Sequence, residues 1–189
     1  METRDIVFIA LFAAIMAGLA VFPPITLPLL GVPITAQSLG AMLAGGVLGT
    51  ARGGLSMALF LTLVAFGLPL LPGGRGGFGV FFGPTGGFLI GWIVAAVVVG
   101  FLVERMWSGL NYLTAFLASV VGGILVLYAI GIPWVALVAR IPLSKAFLGS
   151  LPFIPGDIVK SVIAAAVIVI VKQSYPIITP SKREAALSR

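Results

Sequence analysis

Two opposite charges stand three residues apart in a part of the chain that is otherwise almost uniformly apolar. Asp157 and Lys160 follow Pro155 and Gly156, which break the preceding segment, and an apolar run from residue 161 to 171 comes after them. The pattern predicts a helix with Asp157 in its first turn, where the helix dipole favours a carboxylate, and with Lys160 on the same face. A paired acceptor and donor suit a ligand that carries N–H beside C=O, such as a urea, an amide or a lactam. The alternative is an ion pair that neutralises itself and eases the burial of both charges.

Arg75 is the single charge in a glycine-rich stretch, residues 71–79. The glycines allow the backbone to fold closely over a ligand, and a guanidinium can hold a carboxylate through two parallel hydrogen bonds. The alternative is an ordinary loop arginine among lipid headgroups. The stretch also matches G-x-G-x-x-G, but it follows an apolar span rather than a strand and lacks the acidic residue about 20 positions later. We therefore reject dinucleotide binding.

A lone amide and a group of aromatic residues complete the candidate ligand contacts. Gln37 lies at the start of an apolar run, where it either caps a loop or contacts a ligand. Aromatic residues near the same predicted loops form either an apolar wall of the site or an interfacial belt: Phe78, Phe81, Phe82 and Trp134.

The composition excludes most chemistry. Cysteine and histidine are absent and there are only five carboxylates, so disulfides, thiolate chemistry and the commonest metal ligand and general base are excluded. We predict no catalytic residues, no metal site and no cofactor, and we do not expect an enzyme. The scattered basic residues behind the net charge of +6 indicate membrane topology rather than binding to nucleic acid.

Hydropathy predicts an all-α membrane protein. The chain is 60% hydrophobic and 8% charged, whereas soluble domains carry about a quarter charged residues. Six apolar runs are about long enough to cross a bilayer, at residues 6–21, 34–50, 54–70, 83–103, 111–131 and 157–175. We expect one domain over residues 1–189, with a polar tail from about residue 176.

Basic residues predict the orientation of these six spans. Those on the side of the termini are Arg4, Arg52, Arg105, Lys172, Lys182, Arg183 and Arg189, and those on the other side are Arg75, Arg140 and Lys145. The positive-inside rule therefore places both termini in the cytoplasm (N-in, C-in) of a cell membrane. The three irregular connections, residues 22–33, 71–83 and 132–156, then form ligand-enclosing loops on the outer side.

The first apolar run carries a face of small residues, namely Ala10, Ala13, Ala14 and Ala17. Their spacing gives two small-xxx-small pairs, which allow another helix to approach closely. That helix belongs either to the same bundle or to a partner protein.

Five stretches together resemble the BioY family, the biotin-specific substrate-binding (S) components of energy-coupling factor (ECF) transporters. The stretches are residues 31–37, Gly67-Leu68-Pro69, Gly73-Gly74-Arg75-Gly76-Gly77, Gly83-Pro84-Thr85-Gly86-Gly87 and residues 152–160. The resemblance implies a six-helix membrane fold whose outer loops enclose one biotin. It also implies a partner module made of a transmembrane coupling protein and two ABC-type ATPases.

The resemblance further implies a substrate-binding role for Arg75, Asp157, Lys160 and Gln37. We expect Asp157 and Lys160 to bind the ureido ring and Arg75 to bind the valerate carboxylate. The alanine face resembles the A-x-x-x-A surface that S components use for docking, with Ala10/Ala14 and Ala13/Ala17 both fitting.

The predicted function is therefore capture of extracellular biotin for uptake by an ATP-driven ECF transporter. The alternative is a self-sufficient secondary transporter of a small carboxylate-bearing vitamin. Inverted repeats and an ionisable residue near mid-membrane would favour that alternative, and neither is evident in the sequence.

Overall fold

Helices account for nearly all of the structure, a computed structural model that describes residues 1–26 and 32–178. The α-helices in this part of the chain are α1 (Thr3–Gly18), α2 (Gln37–Leu48), α3 (Thr50–Ala65), α4 (Gly86–Arg105), α5 (Tyr112–Val120), α6 (Leu127–Ala139), α7 (Leu143–Ser150) and α8 (Ile154–Ser174). A π-helical segment, Val121–Val126, joins α5 to α6. Two short antiparallel strands, β1 (Ile25–Thr26) and β2 (Pro33–Ile34), pair after α1. The predicted all-α class is confirmed.

Each predicted apolar run contains a helix, but the helices differ in length. Among the described residues, four helical segments are long and apolar enough to cross a membrane: Thr3–Val21, Gly86–Arg105, Tyr112–Ala139 and Leu143–Ser174. The apolar helices α2 and α3 have only 12 and 16 residues, which correspond to about 18 and 24 Å at 1.5 Å per residue. These long apolar helices are those of a multi-pass membrane protein.

The prediction of a long loop at residues 132–156 was wrong. The helix of the fifth run continues through Pro133 to Ala139 and ends at Arg140, whose left-handed backbone (φ 53°) closes it. Pro142 follows, as is common just after such an end, and α7 and a 3-10 turn then fill most of the interval before α8. Proline is tolerated inside helices of membrane proteins because neighbouring helices and local π-type adjustments satisfy the freed backbone groups.

Glycine allows α2 and α4 to pack closely. A Cβ atom on Gly45 would overlap the carbonyl oxygen of Ala96, and Gly100 lies against the junction of Gly49 and Thr50. Gly49 has a φ of +87°, which other residues rarely adopt, and it makes the sharp turn between α2 and α3. Close packing leaves 10 of the 12 residues of α2 buried: Gln37, Ser38, Gly40, Ala41, Met42, Ala44, Gly45, Gly46, Val47 and Leu48.

Polar contacts close the end of the bundle where α1 and α3 begin. Arg52 forms an ion pair with Asp5 (3.3 Å) and donates a hydrogen bond to the carbonyl oxygen of Ile177 (3.0 Å). Ile177 and Ile178 are themselves buried. The polar tail predicted from about residue 176 therefore does not begin there, and residues 179–189 lie outside the described part of the chain.

The alanine face of α1 is divided between the core and the surface. Ala13 is only 4% exposed and packs in the core, and Ala17 is half-buried, whereas Ala10 and Ala14 are exposed. α1 packs against α2 and α3, and these contacts set its rotation. Ala13 is thus corrected from a candidate docking residue to a residue of internal packing.

Replacing Gly45 by alanine is expected to destabilise the bundle, because the added methyl group would overlap the Ala96 carbonyl. Overpacking of this kind costs about 1–3 kcal/mol, which should appear as a lower Tm of the detergent-solubilised chain followed by tryptophan fluorescence. The matched control is Gly18→Ala, since a Cβ atom there meets nothing within 4 Å. Equal Tm values for the two variants would contradict this account of the α2–α4 contact.

Candidate functional site

A cavity lies at the end of the bundle where α2, α4 and α8 begin. Its empty space is about 560 Å³, part of which is open to solvent. Most of its lining surface is apolar, as is typical of small-molecule sites, although eight of the 17 lining residues have polar or charged side chains. The lining residues are Val32, Ile34, Thr35, Gln37, Ser38, Leu71, Pro72, Arg75, Thr85, Phe88, Leu89, Trp92, Leu127, Tyr128, Phe153, Asp157 and Lys160. All four ligand-binding residues predicted from the sequence, Arg75, Asp157, Lys160 and Gln37, therefore face one space.

Asp157 and Lys160 form an ion pair within this cavity. The Lys160 Nζ and the Asp157 Oδ1 are 2.8 Å apart, and α8 places Asp157 in its first turn as predicted. Lys160 also donates to the carbonyl oxygen of Thr35 (2.6 Å) and to the Ser38 Oγ (2.9 Å). A lysine ammonium has three donors, so all of them are engaged.

The Asp157 carboxylate receives donors on both oxygens. Its Oδ1 accepts from the Ser38 hydroxyl (3.1 Å) and from Lys160, and its Oδ2 accepts from the Tyr128 hydroxyl (2.6 Å). Asp157 is 4% exposed, and a carboxylate buried to this extent requires such partners. The pair neutralises itself and also lines the cavity, so the two alternatives from the sequence do not exclude each other, and contact with a ligand stays a prediction.

Gln37 is fully buried and joins three parts of the fold. From the first turn of α2, its Nε2 donates to the carbonyl oxygens of Met16 at the end of α1 (3.0 Å) and of Leu70 after α3 (3.1 Å). Its Oε1 has no hydrogen-bond partner among the described residues. A buried acceptor of this kind costs about 1–3 kcal/mol unless a ligand or water satisfies it.

Arg75 lies on a tight turn at the rim of the cavity. Its backbone pairs with that of Leu71 through hydrogen bonds of 3.0 and 3.2 Å, and Gly73 and Gly74 take φ values of +77° and +69° between them. The Nε atom donates to the Pro72 carbonyl oxygen (3.3 Å). Neither ion pair found within residues 1–26 and 32–178 involves Arg75, so its exposed guanidinium has nitrogen atoms available for an anion.

The aromatic residues selected from the sequence do not line the cavity. Phe78 packs against Phe81 and Phe82, and the Trp134 Nε1 donates to the Gly83 carbonyl oxygen (3.0 Å). Other aromatic side chains form the apolar wall instead, namely Phe88, Trp92 and Phe153. Of the two alternatives for the sequence-selected residues, the apolar wall is excluded, because adjacency to a loop does not determine which helix face meets the cavity, and the interfacial belt stays a prediction.

Sequence reasoning also missed Tyr128 and Ser38. Both belong to predicted apolar spans and each brings a hydroxyl to Asp157. The only signal available was a hydroxyl group inside an apolar run, and it does not indicate which face of the helix the group occupies.

Comparisons with known proteins identify the family of this chain. The family model described as "BioY family" matches residues 1–177. The chain belongs to the BioY family. One BioY relative, the "Biotin transporter BioY" of Rhizobium etli, is 52% identical over 183 residues, covering 94% of this chain and 98% of the relative. The protein of the same name from Rhodobacter capsulatus is 48% identical, with 92% and 95% covered.

A solved structure shares the BioY architecture described above. It is a crystal structure at 2.1 Å of the S-component for biotin from an ECF-type ABC transporter. The two folds superpose with a TM-score of 0.89 at 29% sequence identity, and the match covers 94% of this chain and 97% of the other. The S-component fold expected from the resemblance is confirmed, and the ligand contacts of individual residues stay predictions.

A double-mutant cycle tests whether the buried ion pair acts as one unit. Asp157→Asn and Lys160→Met should each lower the free energy of unfolding by about 3–5 kcal/mol, because each leaves a buried charge unpaired. The double variant should lose much less unfolding free energy than the sum of the losses in the two single variants. The matched control is the Asp5→Asn and Arg52→Met cycle at the more exposed pair, where the side chains are 26% and 23% exposed and the coupling should be much weaker because solvent screens the charges. A coupling energy at Asp157–Lys160 no larger than that of the control pair would contradict the prediction.

Proposed function

We propose that this chain is the biotin-binding membrane subunit of an ATP-driven ECF uptake system and that it captures biotin from outside the cell. The BioY relatives are named biotin transporters, and the similar crystal structure is an S-component for biotin. The observation that carries the proposal is a single cavity lined by the Asp157–Lys160 pair and by Arg75. Biotin matches this set, since it has a ureido ring at one end and a carboxylate at the other.

In the proposed complex the ureido ring lies against Asp157 and the carboxylate against Arg75. The Asp157 Oδ2 has one donor whereas Oδ1 has two, so Oδ2 accepts a ureido N–H. Lys160 contacts the ureido oxygen only by giving up one of its three present partners. Gln37 supplies a further acceptor, since its buried Oε1 lacks a partner among the described residues.

The helix arrangement supports an anionic ligand. α2, α4 and α8 all begin at the cavity, as the lining residues Gln37, Thr85 and Asp157 indicate. The first turn of a helix carries free N–H groups and a partial positive charge, which stabilise a nearby carboxylate by about 0.3–1 kcal/mol each. The partial positive charges of these three helix N-termini add to the positive charge of Arg75.

We further propose that the chain forms one domain with six membrane spans and with both termini in the cytoplasm of the cell membrane. α2 can span as a 12-residue helix because it is almost entirely buried, so its ends contact protein rather than lipid. The excess of basic residues at the opposite end of the bundle from the cavity favours this orientation, and it opens the cavity to the outside.

The proposed partners are a transmembrane coupling protein and two ABC-type ATPases. Ala10 and Ala14 are exposed on α1 and offer a small-residue surface on which a partner helix can dock closely. With no histidine or cysteine in the chain, we expect no catalysis, no metal and no resident cofactor. Because the basic residues are scattered along the chain, we also expect no binding to nucleic acid. The energy for transport then comes from the partner ATPases.

Arg75→Ala is expected to lower the affinity for biotin about 10- to 100-fold, because the ligand carboxylate loses a charge-assisted contact. Isothermal titration of the purified chain with biotin and with biotin methyl ester tests the cause. The wild type should prefer the acid, and Arg75→Ala should lose that preference. Arg140→Ala, at an exposed arginine that does not line the cavity, is the matched control and should bind both ligands as the wild type does. An intact preference in Arg75→Ala would contradict the assignment of the carboxylate to Arg75.

The proposed orientation can be read by cysteine labelling, because the chain contains no cysteine. Ser144→Cys in α7 and Ser108→Cys between α4 and α5 are matched substitutions at exposed positions. A membrane-impermeant maleimide should label Ser144→Cys in intact cells and Ser108→Cys only after permeabilisation. The reverse pattern would invert the proposed topology.

A bulky residue on the proposed docking surface should separate binding from assembly. Ala14→Trp is expected to abolish co-purification with the ATPase module while leaving the affinity for biotin unchanged, because Ala14 is exposed and does not line the cavity. Ile170→Trp, at a 58% exposed position of α8, is the control and should co-purify normally. Normal co-purification of Ala14→Trp would exclude this surface.

A further inference from the structure

The Asp157 carboxylate is nearly saturated with donors before any ligand enters. The Ser38 hydroxyl and the Lys160 ammonium lie on Oδ1, at 3.1 and 2.8 Å, and the Tyr128 hydroxyl lies on Oδ2 at 2.6 Å. A carboxylate offers about four lone-pair positions. One position therefore remains, on Oδ2, beside the Tyr128 hydroxyl.

Tyr128 also controls the chemistry next to that position. Its single proton is given to Asp157, so the hydroxyl oxygen can only accept a hydrogen bond from the cavity. Tyr128 and Asp157 both line the cavity. A ligand therefore meets two adjacent acceptors and must present N–H groups.

The charge of the carboxylate is already compensated. Lys160 is 2.8 Å from Asp157, and its side chain is 13% exposed. A cationic ligand at Oδ2 would find no unneutralised negative charge and would stand close to the Lys160 ammonium, with little water to screen the repulsion. A neutral N–H donor does not suffer this repulsion.

We propose that Tyr128 and Ser38, by donating to Asp157, make the cavity select a neutral cyclic urea over a cationic guanidinium of the same shape. The inference rests on the proposed biotin-binding function and adds two positioning residues to it. Both act through Asp157: each hydroxyl withdraws negative charge from the carboxylate and fixes its orientation. Removing either donor leaves a more negative carboxylate, which favours a cation relative to a neutral ligand.

The test compares biotin with 2-iminobiotin, in which a guanidinium replaces the ureido group at neutral pH. Isothermal titration of the full-length wild type should give much tighter binding of biotin. Tyr128→Phe should lower the affinity for biotin about tenfold or more, the effect of losing a hydrogen bond to a charged group. The same variant should lower the affinity for 2-iminobiotin by less than about threefold, or should raise it. Tyr112→Phe is the matched control, because its hydroxyl contacts the Val162 carbonyl at an exposed site outside the cavity. This control should leave both affinities unchanged.

The ratio of the affinity for biotin to the affinity for 2-iminobiotin separates a positioning role of Tyr128 from a structural one. If Tyr128→Phe lowers the affinities for biotin and for 2-iminobiotin by the same factor, the proposal is overturned, because a merely distorted site weakens the binding of both ligands alike. If Tyr128→Phe does not fold, Ser38→Ala is measured in the same way, and an unchanged ratio there would also overturn it. A wild-type chain that binds no biotin would instead refute the proposed function, so the two failures are distinguishable.

Discussion

A carboxylate buried inside a membrane protein must be compensated by groups that the fold brings to it. The compensation of Asp157 comes from Ser38 on α2, Tyr128 on α6 and Lys160 on α8. Lys160 in turn holds the backbone of Thr35 before α2. Three helices therefore meet in one register, because a shift of one turn along any of them would leave a buried charge or hydroxyl without its partner. The cavity lies at this junction of three helices, and the apolar wall of the cavity surrounds the junction.

The remainder of the bundle satisfies this constraint by close backbone packing and by a second set of polar contacts at the far end. Gly45 allows α2 to approach α4, which buries a helix too short to face lipid over its whole length. At the opposite end, Glu104 accepts from the backbone and the hydroxyl of Thr50 (2.9 and 2.6 Å), and Arg52 contacts α1 and the segment after α8. Polar contacts thus fix both ends, and apolar packing fills the space between them. This division suits a protein that binds a ligand at one end only.

The sequence predicted those features that depend on neighbouring residues. Asp157 falls in the first turn of α8 as predicted, although the helix begins at Ile154, before Pro155 and Gly156 rather than after them. The glycines beside Arg75 were predicted to let the backbone fold closely, and Gly73 and Gly74 take positive φ values there. Features set by contacts between helices were not predictable. The fifth span was predicted to end at residue 131, although the packed bundle continues its helix through Pro133 to Ala139. The two alanine pairs of α1 have the same spacing, so the sequence could not distinguish buried Ala13 from exposed Ala10 and Ala14. The rotation of α1, which decides this, depends on its contacts with α2 and α3.

The central claim is that one buried carboxylate receives the neutral end of biotin while an arginine at the rim receives its charged end. The most direct measurement is an experimental structure of the chain with biotin bound. The account predicts a ureido nitrogen about 3 Å from the Asp157 Oδ2 and the valerate carboxylate within a similar distance of the Arg75 guanidinium, both ordinary hydrogen-bond lengths. Biotin bound in the reverse direction, or bound without contact to Asp157, would contradict it.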